Sequence, residues 1–322
     1  MTAYKWAILG PGKIASEFAD AVAASGESIY AVGSRSLERA EQFAAAHSIQ
    51  KAYGDYDALL ADPDIDIIYL ATPHSSHYKY LLRALECGKH VLCEKAITVS
   101  SRELDPVIRL AAQSHLIVAE AMTIFHMPLY RKLQKLINDG TLGTVKLVQV
   151  SFGSLKPYDV TSRFFNKDLA GGALLDIGTY ALSFARLFLS SQPDQILTTV
   201  KPFETGVDEQ SGIILKNKEQ ELGVITLAMR AKLPKRGIVT GDRAYLTVDN
   251  FPRADRATLT YPDGSSECIE AGDTQQAMIY EYADMNAIVR GEKANDSLAL
   301  TQDVIQLMTA IRNQWGIRYP FE

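Results

Sequence analysis

Short apolar runs and longer amphipathic stretches alternate through the first 120 residues. Lys5–Leu9, Ser28–Gly33, Ile67–Leu70, His90–Cys93 and Leu116–Ala119 are short runs bounded by polar or glycine residues, the pattern of buried strands. Between them, apolar positions recur at helical spacing over Lys13–Ala24, Leu37–Ala46, Tyr56–Ala61, Ser76–Cys87 and Ser101–Ser114. Gly26, Gly54 and Gly88 fall between elements, where the chain must turn. Strands alternating with helices predict an α/β unit on a parallel, doubly wound sheet.

The rhythm changes after residue 121. A helix over Leu129–Asn138 ends at Asp139-Gly140, a strand follows at Lys146–Phe152, and a second helix covers about Gly172–Leu189. Alternating patterns then predict strands at Gln195–Val200, Gln210–Leu215, Leu222–Met229, Ile238–Thr240, Ala244–Val248, Ala257–Tyr261 and Ser266–Glu270. Asp263-Gly264 marks a hairpin between the last two. Helices at Gln276–Arg290 and Leu298–Trp315 close the chain. Strands in series with helices at the ends predict an α+β domain on a mostly antiparallel sheet. The expected division is 1–121 and 122–322.

Composition narrows the class. Of the 322 residues, 47% are hydrophobic and 22% charged, an ordinary globular balance with length for two cores. A net charge of −5 argues against a general nucleic-acid or membrane-surface binder. Cys87, Cys93 and Cys268 have neither metal nor disulfide spacing and fit a reducing compartment. The first predicted strand begins at Lys5, which leaves no room for a signal peptide, and no apolar run reaches membrane-helix length. These features predict a cytoplasmic protein without a metal.

Candidate chemistry begins at Gly10-Pro11-Gly12-Lys13-Ile14-Ala15, between the first strand and the first helix. That order is a dinucleotide-binding fingerprint, and it identifies the parallel unit as a Rossmann domain. Gly10 permits the sharp turn, Gly12 lets a pyrophosphate approach the backbone, and Ala15 allows close helix–strand packing. Lys13 and Ile14 open a helix whose free N–H groups face the phosphates. The end of the second strand reads Gly33-Ser34-Arg35-Ser36, with Arg39 one turn on and no carboxylate before Glu38. A carboxylate there would hold the ribose hydroxyls of NAD and repel a 2′-phosphate. Ser34, Arg35, Ser36 and Arg39 suit the phosphate, so NADP is expected over NAD.

Two further segments end predicted strands, where ligands of such sheets bind. Thr72-Pro73-His74 with His77 borders the expected cofactor crevice, although His77 also fits a place beneath the loop. Glu94-Lys95 sits where the nicotinamide end should lie, and a lysine there can relay a proton or polarise a carbonyl. In the second domain, Gly171-Gly172 precedes Asp176 and Tyr180, which share one face of a helix at a spacing of four. An unperturbed tyrosine titrates at about 10, and a nearby ammonium lowers that value. Tyr180 beside Lys95 could thus take an alcohol proton, with Asp176 in support. Asp176 and Tyr180 would equally suit a capped helix start with a buried ring.

The glycine turn, Ala71–His77, Glu94-Lys95 and the stretch Gly171–Tyr180, in that order, resemble the glucose–fructose oxidoreductase/inositol dehydrogenase (Gfo/Idh/MocA) family along essentially the whole chain. The resemblance is nearest to the branch of dimeric trans-dihydrodiol and NADP-dependent D-xylose dehydrogenases. There a tyrosine, here Tyr180, stands where inositol dehydrogenases carry a catalytic histidine. The resemblance implies an N-terminal Rossmann domain and a C-terminal domain with a large open sheet. It also implies hydride transfer between NADP(H) and a sugar, polyol or trans-diol, and a homodimer through the sheet.

Two departures bear on this. Ala96 replaces the proline of the family's Glu-Lys-Pro, which removes a rigid residue after Lys95 but no reactive group. The tryptophan and arginine that follow the sixth strand in the dihydrodiol branch are absent from Glu120–Pro128. His126 is a candidate substrate contact there, or a core residue. Phe152, Tyr158, Arg163, Phe164 and Phe165 suit a far pocket wall, core packing or a dimer contact. Two alternatives stay open from sequence: a catalytically silent NADPH-binding sensor, and a reductase of a non-sugar carbonyl such as biliverdin.

Overall fold

A computed structural model describes residues 4–322. They form two compact units, residues up to Met122 with Met278–Leu298, and Thr123–Ala277 with Ala299–Glu322.

In the first unit, six parallel strands alternate with helices: β1 (Trp6–Leu9), α1 (Lys13–Ala24), β2 (Ala31–Gly33), α2 (Leu37–Ala46), β3 (Lys51–Tyr53), α3 (Tyr56–Leu60), β4 (Ile67–Leu70), α4 (His74–Glu86), β5 (His90–Glu94), α5 (Ser101–Gln113) and β6 (Val118–Ala121). The sheet order is β3-β2-β1-β4-β5-β6. The order reverses between β1 and β4, and such a switch point opens a crevice at the strands' C-terminal ends. β1 and β4 are buried at every position because helices cover both faces. β3 is missing from the strands expected on sequence. It has three half-buried residues, Lys51-Ala52-Tyr53, and no apolar run to mark it.

The second unit carries α6 (Pro128–Asn138), β7 (Val145–Gly153), a π-helical turn (Leu174–Gly178), α7 (Thr179–Phe188), β8 (Gln195–Pro202), β9 (Asp208–Lys216), β10 (Leu222–Ala228), β11 (Leu233–Gly241), β12 (Tyr245–Asp249), β13 (Arg256–Thr260) and β14 (Ser266–Glu270). Its eight strands run in the order β14-β13-β12-β11-β7-β10-β9-β8. Only β7 and β10 pair in parallel; every other pairing is antiparallel. α7 packs on β7, β10 and β11. Gly237 on β11 admits it closely, since a Cβ there would collide with the Phe184 ring. The other sheet face is open. On it Leu197 of β8 stands opposite Ile214 of β9, both exposed.

α8 (Ala277–Val289) and α9 (Ser297–Trp315) complete the chain. Sequence spacing placed residues 278–298 in the second domain, whereas their contacts group them with the first unit. The Tyr282 ring lies 4.9 Å from that of Trp6 and tilted against it, and Trp6 donates its indole N–H to Asn286. α8 is apolar around most of its circumference, so no stripe in its sequence says which sheet it covers.

Candidate active site

The glycine turn has the geometry its sequence implies. Gly10 has φ +104°, and a Cβ there would press on Ala71 O and the Thr72 methyl. Gly12 precedes α1 with no side-chain cap, and a Cβ on it would meet nothing within 4 Å. Open space thus lies over Gly12 and the start of α1, where unpaired N–H groups and the positive helix end favour an anion. Lys13 is exposed and Ile14 packs on the core. These residues fit the pyrophosphate of a dinucleotide.

At the end of β2, Arg35 and Arg39 are exposed, and both charges act on the buried Tyr56. The serines have structural duties as well. Ser34 is buried and its Oγ accepts from Ser36 N, while Ser36 Oγ caps α2 by accepting from Arg39 N. Glu38, the nearest carboxylate, accepts from Gln42 on its own helix. Of the residues expected to meet a 2′-phosphate, the two arginines are the ones exposed.

The two strand-end segments lock together. His74 Nε2 lies 2.9 Å from Lys95 O. His77 Nδ1 lies 3.0 Å from Ala96 O and its Nε2 2.7 Å from Thr72 O. His77 is fully buried, and burial lowers its pKa against the hydrogen bonds that raise it. A neutral imidazole has one N–H and donates to one of those carbonyls. His77 therefore presents no atom to a cofactor; it pins the loop that carries Lys95. Ser76 Oγ donates to Pro73 O at 2.9 Å and lies 3.0 Å from the Thr72 hydroxyl, from which it can accept, and this closes the turn before α4. The Lys95–Ala96 peptide is cis. Lys95 N donates to Glu94 Oε2, and Glu94 Oε1 accepts from the Tyr69 hydroxyl. Glu120 accepts from Ile97 N and fixes the far side of the loop.

In the second unit, Asp176 and Tyr180 do not share a regular α-helix as their spacing suggested. Asp176 lies in the π-helical turn and Tyr180 in the first turn of α7. π-helical turns are rare and concentrate at functional sites. Asp176 is largely buried, and Arg163 approaches it at 3.9 Å. Tyr180 is half-buried, its ring 6.3 Å from that of Phe152. Arg163 and Lys156 both lie over Phe164, at 4.3 and 4.0 Å from the ring centre. His126 is 2% exposed, so its ring sits in the core. Phe165 is buried and stacked on Phe203 at 4.1 Å, a packing role. Tyr158 is exposed and tilts against Phe203 at 5.2 Å.

Sequence spacing missed two residues of this unit. Asp208, at the start of β9, is fully buried and accepts at 2.6 Å from Leu174 N at the head of the π-helical turn. Burial raises its pKa to about 6 against the N–H groups of Leu174 and Ala173. Gly172 has φ +121°, and a Cβ on it would collide with Asp208 Oδ1. An acid opening a strand directly after Gly206-Val207 was the one available signal. Lys235 of β11 is the second, its ammonium 5.0 Å over the Phe152 ring. Its place follows from strand pairing and left no mark in the local sequence.

Among the described residues, no cluster of three or more histidine, cysteine or acidic side chains could hold a metal ion. No described helix is long and apolar enough to cross a membrane.

Residues 4–122 match the family profile described as oxidoreductase family, NAD-binding Rossmann fold, and 130–247 match the GFO/IDH/MocA C-terminal domain. The trans-1,2-dihydrobenzene-1,2-diol dehydrogenase of Xenopus laevis is 30% identical over 333 residues, covering 99% of this chain and 100% of that protein. The enzyme of the same name from Homo sapiens is 28% identical over 99% of this chain and 98% of its own length. Among solved structures, a 3-ketoreductase from Actinomadura kijaniata in complex with NADP and TDP-benzene superposes with a TM-score of 0.86. It is 23% identical, over 97% of this chain and 98% of that one. A levoglucosan dehydrogenase in complex with NADH reaches 0.88 at 18% identity, over 97% of each chain. At those identities the likeness is one of fold.

Proposed function

Because this chain belongs to the Gfo/Idh/MocA family of NAD(P)-binding oxidoreductases, we propose that it is an NADP(H)-dependent dehydrogenase. Its substrate is a secondary alcohol, or the matching carbonyl, on a sugar, polyol or trans-diol. The observation that carries the cofactor choice is the end of β2, where Arg35 and Arg39 are exposed and no carboxylate precedes Glu38. The turn at Gly10 and Gly12 and the N-terminus of α1 would hold the pyrophosphate, and Arg35 and Arg39 would hold the 2′-phosphate.

NADP, when bound, supplies the hydride acceptor. The chain's own residues handle the proton. Tyr180 takes it from the substrate hydroxyl, Asp176 holds the substrate, and Lys95 is the second candidate for proton transfer. His74 and His77 position the Lys95 loop through its carbonyls. We further propose that two copies pair through the open sheet face, where Leu197, Ile214 and Leu222 are exposed. Light scattering should then report twice the chain's 35.5 kDa.

Titration with NADPH and NADH, followed by nicotinamide fluorescence, tests the cofactor reading. Wild type should prefer NADPH, and Arg35→Ala should lose about 10- to 100-fold of that preference, the worth of charged hydrogen bonds. A wild-type preference for NADH would overturn it.

A further inference from the structure

Lys235 occupies an unusual place for a lysine. The register of β11 on β7 shifts between Leu233 and Arg236, so Lys235 is placed by its contact with Phe152 of β7 rather than by strand alternation. Its side chain is half-buried rather than extended into water. The ammonium rides on the Phe152 ring, and the Tyr180 ring is that ring's neighbour. Among the described residues Lys235 forms no ion pair. The charges that act on it, from Lys232 just before β11 and Arg253 on the turn after β12, are both positive. Burial and these two cations lower its pKa.

A half-buried cation among like charges costs stability, and an arriving anion removes that cost. The flat Phe152 ring beneath the ammonium keeps the lysine stem ordered. A substrate whose reacting hydroxyl meets Tyr180 would place a substituent a few bonds away beside Lys235. We propose that Lys235, with Lys232 and Arg253, forms an anion subsite, so that the substrate is a sugar or polyol bearing a carboxylate or a phosphate. This rests on the assignment of Tyr180 to the reacting hydroxyl.

The test is calorimetric titration of the NADP-loaded full chain with D-glucose, D-glucuronate and D-glucose 6-phosphate. At least one acid should bind about tenfold or more tightly than glucose. Lys235→Met, which keeps the apolar stem, should abolish that advantage and leave glucose affinity unchanged. Lys235→Arg should retain it, which guards against a folding defect in the methionine variant. The carboxylate and phosphate arms decide which anion is favoured. Equal binding of all three sugars, or an acid preference that survives in Lys235→Met, would overturn the proposal. Turnover separates it from the underlying reading. Acids that bind selectively but are never oxidised would count against Tyr180 as the reacting group, while the subsite would stand. Oxidation of neutral sugars with no preference for acids would remove the subsite alone.

Discussion

Tyr180→Phe should lower kcat by about 10²- to 10⁴-fold, the usual worth of a positioned proton-transfer group. The substitution deletes one oxygen and leaves the ring that lies against Phe152, so neither fold nor NADPH affinity should change. Stopped-flow measurement of nicotinamide absorbance on a sugar the wild type oxidises would isolate the chemical step. A variant that keeps more than a tenth of wild-type kcat would move the proton to Lys95. Lys95→Met would then carry the large loss.

Gly172→Ala should be the most damaging of the small substitutions. At φ +121° a side chain is strained, which alone costs about 1–3 kcal/mol. The new Cβ also meets Asp208 Oδ1, a buried carboxyl oxygen without a hydrogen-bond partner. Together these predict a loss of about 3 kcal/mol or more, or roughly 6–12 °C in melting temperature. Gly12→Ala is the matched control. Space over Gly12 is open, so stability should hold within about 1 kcal/mol while NADPH binding weakens.

Asp208 gives the same region a pH signature. Its folded pKa, about 6, lies above the ordinary carboxylate value near 3.8. Below that ordinary value both folded and unfolded states are protonated. As pH rises from about 4 to 6 the unfolded chain ionises first, so stability falls through that window and levels off above it. The drop is on the order of 2–3 kcal/mol. Asp208→Asn should flatten this limb in denaturant titrations run at each pH. An unchanged limb would mean that other carboxyl groups produce it.

Much of the fold was legible because its signals are contiguous. The apolar runs of β1 and β4, the glycine turn and the Asp263-Gly264 hairpin each lie within a few neighbouring residues. β13 and β14 pair antiparallel across that hairpin, with Gly264 at φ +86°. Lys95 was legible for the same reason, at the end of an apolar strand. What escaped depends on partners far along the chain. Lys235 acquires its neighbours from the β11–β7 pairing, Asp208 from a backbone N–H 34 residues upstream. The π-helical turn escaped because one residue's difference in hydrogen-bond reach leaves an apolar stretch looking helical. His77 and Ser34 were legible as polar residues near the crevice. Burial, which composition does not reveal, directs them to the backbone instead.

The return of α8 to the first unit has a consequence for how the chain comes off the ribosome. Met278, Tyr282 and Met285 are part of the same buried cluster as Trp6, Phe18 and Tyr69. A nascent chain that has just delivered residue 122 holds all six parallel strands but lacks the helix that seals their aromatic core. Domains generally close in the order they are made. Here the first sheet must wait, partly unsealed, while the whole antiparallel sheet is synthesised. Its Trp6 and Phe18 rings are thus a natural foothold for chaperones that hold unfinished chains.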